Sequence, residues 1–279
     1  MNVLVFDIET IPDLQSGRRI YDLEGLSDED TAKAMFSLRR TKVGHDFLPH
    51  HLQKIVAISL VLSQKNGFKV WSLGEEDSNE AEIIQRFFNG IARYTPDLVS
   101  WNGGGFDLPV LHYRALLHGI QAPIYWDTGE NQSGFRWNNY LNRFHYRHLD
   151  LMDVLASYQN KALAPLDEIS SMLGFPGKMG MNGAHVFDEY LQGNITGIRN
   201  YCETDVLNTY GVYLRFELMR GKLSPAEHQM ALDLMEDYLQ NATDRTHLKE
   251  FLEKWKLNRG AVWSRYANPK LNTSSGDDS

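Results

Sequence analysis

Asp7 and Glu9 stand two residues apart at the end of the apolar run Val3-Leu4-Val5-Phe6. In a strand, side chains at i and i+2 leave the same face, so the two carboxylates converge. Two carboxylates without counter-charge repel each other, and desolvation raises the cost. A divalent cation relieves both problems; solvent does too, if the pair simply ends the strand. Asp107 follows Leu98-Val99-Ser100-Trp101-Asn102 and the triple glycine Gly103-Gly104-Gly105. Glycines let a backbone turn sharply or approach a ligand, and strand ends in open α/β sheets are where ligands bind. Asp107 before Leu108-Pro109 is equally a good helix N-cap. The stretch is reminiscent of phosphate loops but lacks a following Lys-Ser/Thr and the G-x-G-x-x-G spacing, so it gives nucleotide binding only weak support. Tyr201 and Asp205 lie four apart in a predicted helix and share a face, flanked by apolar Ile198, Cys202 and Val206. The plainer reading there is a solvated acid above a core tyrosine.

Singly, each residue keeps both readings. The ordered set is more specific. FDIET (6–10), SWNGGGFDLPVL (100–111) and YCETD (201–205) resemble the three exonuclease motifs of the DEDD 3′–5′ exonucleases. Tyrosine stands four residues before the last aspartate, and Asn200 stands where the histidine branch carries its histidine. The set is therefore similar to the tyrosine-type branch, and in particular to the proofreading exonuclease domain of family B DNA polymerases, here without a polymerase attached. The resemblance runs over about residues 3–218. It implies a two-metal-ion 3′–5′ exonuclease that hydrolyses phosphodiester bonds from the 3′ end of single-stranded DNA and releases nucleoside 5′-monophosphates. Asp7 would bridge two magnesium or manganese ions. Glu9 and Asp205 would complete the ligands of one ion, and Asp107 would hold the other. Two ions about 4 Å apart clamp the attacking and leaving oxygens of an in-line displacement at phosphorus. Hard oxygen ligands select magnesium or manganese over zinc or copper. Tyr201 would orient the water, because a phenol of ordinary pKa is a weak base. Asn102, Phe106 and Thr10 would meet the terminal nucleotide.

The elements that must position these residues follow from pattern. Residues 3–9 read as a central strand, 55–62 and 68–73 as two more joined by a hairpin signal at Asn66-Gly67, and 98–102 and 148–152 as a fourth and fifth. Helices are expected near 28–40, 79–93, 108–118 and 195–219. Ser27 can cap the first of these, and Ser224-Pro225-Ala226-Glu227 is a capping box that opens another helix. That order fits an α/β ribonuclease H-like fold, with a mixed five-stranded sheet flanked by helices and a helical C-terminal extension. The expected division is an exonuclease domain over 1–220, the extension over 221–267 and a disordered tail over 268–279. Asp150 and Asp153 read as strand-end and helix-cap residues, and Asp13 as lining the excursion between the first two strands. His50-His51 lacks the partners of a zinc site.

The bulk numbers permit this reading. The chain has 279 residues, 42% of them apolar and 23% charged, as in ordinary globular proteins. No apolar run reaches the roughly 18 residues of a membrane span. The start lacks the pattern of a signal peptide, and the single Cys202 suits a reducing compartment, so a cytoplasmic enzyme without membrane contact is expected. A net charge of −8 argues against bulk attraction to nucleic acid, so a local surface must hold the strand. Residues 135–148 hold five aromatics, three arginines, two histidines and no acid. Such interleaving suits stacking plus phosphate contact, and Trp137, Tyr140, Arg143 and Arg147 are the expected strand contacts. A β-hairpin packed on the sheet is the plain reading of the same stretch. A second basic stretch, 245–270, carries seven Lys/Arg against two Glu and reads as an amphipathic helix. The expected partner is a single strand with a free 3′ end, DNA ahead of RNA. A 3′–5′ exoribonuclease on the same fold and a catalytically silent nucleic-acid-binding or regulatory subunit are the rival readings.

Overall fold

A computed structural model describes residues 2–65 and 67–263. Strand β1 (Val3–Pro12) is buried along almost its whole length. It lies between β2 (Gln53–Gln64), antiparallel to it, and β4 (Asp97–Ser100), parallel to it. Strand β3 (Gly67–Ser72) pairs antiparallel outside β2, and β5 (His148–Asp150) pairs parallel outside β4. The sheet order is β3-β2-β1-β4-β5, the mixed ribonuclease H-like arrangement expected from the element order. Asn66, half of the hairpin signal between β2 and β3, lies outside the described residues, as do the basic residues Arg265 and Lys270 and the expected tail 268–279.

The alternation of β1 decides where its acids go. Leu4, Phe6 and Ile8 enter one core with Phe87, Ile91, Val110 and Leu111, from helices α3 (Glu80–Tyr94) and α4 (Asp107–His118). Val3 and Val5 enter the opposite core with Val206, Leu207 and Tyr210 of the long helix α9 (Ile195–Met219). Asp7 and Glu9 continue the valine row and so turn toward α9. A β-bulge between Glu9 and Thr10 breaks the register just past them, a local twist of the kind that re-aims side chains beside functional sites.

Two helices fill the excursion between β1 and β2: α1 (Leu14–Tyr21) and α2 (Asp28–Val43). Sequence reading anticipates α2, capped by Ser27 as expected, and misses α1. Helix α1 is capped by Asp13, and its Gly17 packs directly against the Met35 side chain of α2. Asp13 does more than line the excursion. It is buried and ion-paired with Arg114 of α4, which also grips Glu80 at 2.5 Å.

Past α4 come α5 (Pro123–Trp126), α6 (Leu151–Leu155), α7 (Leu166–Met172) and α8 (Val186–Leu191). Strand β5 ends at Asp150, earlier than the sequence suggests, because Asp150 caps α6. Residues 135–147 contain no strand, so the hairpin reading of that stretch is corrected to a short 3-10 turn at Ser133–Arg136 followed by irregular turns. Helix α10 (Pro225–Asn241) opens with the predicted capping box. It and α11 (Thr246–Trp263) place Leu232, Met235, Phe251 and Trp255 in the core beside α9.

Candidate metal centre

The centre forms where β1, the loop before α4, and α9 meet. Asp7 and Glu9 come from β1. Asp107 is the first residue of α4, but its side chain does not cap that helix; its Oδ1 accepts from the Ile8 backbone N–H at 3.1 Å, across 99 residues of sequence. That bond brings the third acid to β1, at the residue between the first two. Asp205 and Tyr201 face the same spot from α9. Asp7 feels the charge of Asp107 and Asp205, and Glu9 that of Asp7, Asp205 and Asp107.

The loop ahead of Asp107 is built for tightness. Asn102, with φ of +64°, takes the left-handed turn, a conformation asparagine tolerates better than most residues. The three glycines do not have positive φ. They allow close approach: a Cβ on Gly103 would collide with Ser100, and one on Gly105 with Asn102. Asp150 clamps the loop by accepting from the N–H groups of Asn102 and Gly104, each at 2.9 Å. Strand-end and helix-cap is the expected role of Asp150; holding the second-motif loop is an added one.

Glu9 and Asp107 are buried, while Asp7 and Asp205 keep a partial opening to solvent. Burial pushes all four carboxylates up. Asp7 and Glu9 are raised well above the usual range by burial and by their neighbours' charge. Burial takes Asp107 and Asp205 up to about 7. Among the described residues none of the four forms an ion pair. Acids whose negative charge burial penalises in this way are chemically matched to a cation. Cys202 Sγ lies 3.4 Å from the Asp7 carbonyl and 3.5 Å from its carboxylate. Burial and the adjacent acids push its thiol up, so in the metal-free protein it is an S–H donor to Asp7. Asp7, Glu9 and Cys202 each bring one ligand atom within 4.8 Å of the others, a set of carboxylate oxygens, which suit magnesium or manganese, with one thiol beside them. Burial, then Asp205, Glu9 and Asp7, push the Tyr201 phenol up, so it stays protonated beside Asp205.

These shifts have a consequence in the metal-free protein. Asp107 and Asp205 hold protons up to about 7 in the fold, against an ordinary value of 3.8. Between those values the folded chain binds more protons than the unfolded one. Their contribution to stability is therefore full below about pH 4 and is lost as pH rises toward 7. In chelator, Asp205→Asn should flatten the fall in melting temperature between about pH 5 and pH 8, because one titrating acid is gone. Identical slopes for variant and wild type would contradict the electrostatic account.

Of the expected substrate contacts, Thr10 donates its hydroxyl to Gln53 Oε1 at 3.0 Å at the rim of β1. Asn102 and Phe106 lie on the loop beside Asp107 and are half-buried. The aromatic-basic stretch divides. Trp137 is 83% exposed. Tyr140 is corrected to a core residue: it is buried, stacks on Tyr125 and donates to the Pro96 carbonyl at 2.8 Å, so no base can reach its face. Arg147 is likewise structural, lying over the Phe135 and Tyr140 rings and reaching Asp97 at 3.4 Å. Arg143 is held bidentate by Asp153 at 2.5 and 2.6 Å. A cavity of about 450 Å³ lies between this stretch and the second-motif loop, lined by Asn102, Gly104, Phe144, Tyr146 and Tyr158 among others. Another of about 230 Å³ borders Tyr201, Asp205, Lys178 and Asn182.

One residue of the third motif serves the frame. Glu203 turns away from the acids to pair with Arg245 and, at 2.7 Å, His247 at the start of α11, and accepts from Ser72. It fixes α9 to β3 and the C-terminal helices. The ion cluster Asp13–Arg114–Glu80, with Glu80 also accepting from the Ile55 N–H at 2.7 Å, fixes α4 to the end of β1 and to β2. Sequence reading misses both clusters, since partners 101 and 42 residues apart leave no local signal.

Fold and centre together define a ribonuclease H-like protein with an acidic cluster on its central strand. Residues 45–255 match the family described as "Predicted 3'-5' exonuclease related to the exonuclease domain of PolB", and the chain belongs to that family. The matched range holds Asp107, Tyr201 and Asp205 and begins after Asp7 and Glu9. The structure of the family B DNA polymerase from the hyperthermophilic archaeon Pyrobaculum calidifontis is similar over 78% of this chain and 24% of that one, at 18% identity and a TM-score of 0.47. The chain thus spans about a quarter of that polymerase. No curated protein matches the chain. Among the described residues no helix is long and apolar enough to cross a membrane.

Proposed function

We propose that the chain is a 3′–5′ exonuclease that removes nucleotides from the 3′ end of single-stranded DNA, with Asp7, Glu9, Asp107 and Asp205 holding two magnesium or manganese ions. The observation that carries this is the meeting of four carboxylates from three distant segments, without ion pairs among the described residues and with their pKa values raised by burial. Bound metal would polarise the phosphate and lower the barrier to attack by water. The chain's own groups do the rest. Asp107 stays locked to β1 through Ile8, so the acids keep their spacing. Tyr201, neutral and beside Asp205, orients the attacking water by donating or accepting a hydrogen bond. Asn102, Phe106 and Thr10 face the terminal nucleotide, and exposed Trp137 and the half-exposed Arg143 lie along the path of the strand. A reducing, cytoplasmic setting suits the lone buried Cys202. Residues 1–220 are the proposed catalytic unit and 221–267 its proposed extension, of which α10 and α11 account for the described part up to Trp263.

Tyr201→Phe should lower turnover by on the order of 10²-fold or less, since it removes a water-positioning hydroxyl and leaves the metal ligands. A loss as large as that of Asp205→Ala would make the phenol more than a positioning group. Substrate class is tested by digesting 5′-labelled single-stranded DNA, duplex DNA and RNA side by side with magnesium and then manganese. The proposal expects single-stranded DNA to be cut fastest. Preferential cutting of RNA would make the enzyme an exoribonuclease on the same fold.

A further inference from the structure

The excursion between β1 and β2 carries no motif residue, yet it returns to the catalytic loop. Leu48 and Leu52 are buried against Met35, which anchors the segment that leaves α2. Between and beside these anchors, two rings project onto Phe106, the residue before Asp107. The Phe47 ring lies 5.5 Å from that of Phe106, tilted by 51°. The His50 ring lies 5.6 Å away, tilted by 48°, and its Nε2 is 2.9 Å from the Gly105 carbonyl. A neutral carbonyl can only accept, so Nε2 carries the proton in that bond. Phe47 is 55% exposed despite these contacts, so much of its ring is open. Arg39 stands at the same corner. Its Nε donates to the Phe47 carbonyl at 2.9 Å, and it forms no ion pair among the described residues. Asp46, the nearest acid in sequence, is already paired with Arg40 at 2.8 Å.

Resting on the nuclease reading above, we propose that Phe47, propped on Phe106 and His50, is the stacking surface for an unpaired base beside the scissile phosphate, with Arg39 contacting that strand's backbone. An exposed aromatic face next to a cation without an acidic partner is the chemistry that recognises single-stranded nucleic acid without reading its sequence. It adjoins the loop that carries Asp107, so the base it holds belongs to one of the two nucleotides that flank the cut. His50 is a positioning residue: it ties the excursion to the Gly105 carbonyl and so fixes the platform against the catalytic loop.

The test is a cycle between the ring and the base. A 5′-labelled oligothymidylate is titrated with full-length protein in calcium, an oxygen-ligated stand-in for the catalytic ion. The same strand is then made abasic at the last, the penultimate or the sixth nucleotide from the 3′ end. Wild type should bind about tenfold more weakly when one of the last two bases is missing, and little changed when the sixth is missing. Phe47→Ala should bind the intact strand about as weakly as wild type binds the abasic one, with no further loss when that base is removed. Phe47→Leu, which keeps an apolar contact with Phe106 but no aromatic face, should behave like Phe47→Ala, and Phe47→Tyr like wild type. Independent, additive losses from ring and base would overturn this inference alone. Failure of wild type both to bind and to cleave any of the strands would overturn it together with the nuclease reading.

Discussion

Asp7→Ala and Asp205→Ala should each lower turnover by roughly 10³-fold or more and leave the metal-free protein folded and no less stable. The activity loss follows from charge. A bound divalent ion supplies several kcal/mol of transition-state stabilisation, and each ~1.4 kcal/mol is a factor of ten in rate. Both residues are expected ligands of the same ion, so either change leaves that ion under-ligated. The stability half follows from the unpaired state of the acids. Each carboxylate is raised by burial, and the charge of its neighbours raises Asp7 further. Removing one relieves repulsion among the rest. A thermal melt in chelator beside a turnover assay checks both halves. Loss of activity with a collapsed melting temperature would mark the residue as part of the scaffold. The contrast is Glu203, two residues before Asp205: it is paired with Arg245 and His247.

Excess chelator should abolish cleavage of a labelled single strand, and magnesium or manganese added beyond the chelator should restore it. The reason is that four carboxylates in one buried place cannot receive a phosphodiester, itself an anion, without counter-charge. Restoration should come with a rise in melting temperature, because an ion that binds only the folded chain stabilises it by mass action. That rise should be larger at pH 8 than at pH 6, since protons compete for the raised carboxylates at the lower pH. Cleavage undiminished in chelator, with trace metal controlled, would sink the metal-site account.

The chemistry of this chain lies close to the surface of its sequence because each acid sits in a short, contiguous motif. The strand period places Asp7 and Glu9 on one face, and the helix period places Tyr201 with Asp205; the sheet then brings the two faces together. Asp107 was ambiguous as a sequence feature, since a helix N-cap and a functional acid look alike before Leu108-Pro109. The deciding contact is with Ile8, on a strand that nothing local to Asp107 identifies. Residues 135–148 show the opposite failure. Alternating aromatic and basic residues signal both nucleic-acid contact and cation–π packing, and composition cannot separate them. Tyr140 and Arg147 pack and Trp137 projects, a division set by the turns of that stretch. Helix α1 is hard to read from sequence because Gly17 lowers its local helix propensity, and what Gly17 packs on, the Met35 side chain, lies elsewhere. Phe47 and His50 carried no signal at all, since their partner Phe106 is more than fifty residues away.

The central claim is that these four acids catalyse stepwise hydrolysis from the 3′ end, and the label position tests it most directly. One single-stranded oligonucleotide is labelled at its 5′ end and, in parallel, at its 3′-terminal nucleotide, then incubated with the protein and magnesium. The account predicts a ladder that shortens one nucleotide at a time from the 5′-labelled strand. The 3′ label should appear at once as a nucleoside 5′-monophosphate, and neither product should form with Asp7→Ala. Internal fragments from the 5′-labelled strand, release of the 5′ label first, or a ladder that persists in Asp7→Ala would contradict it.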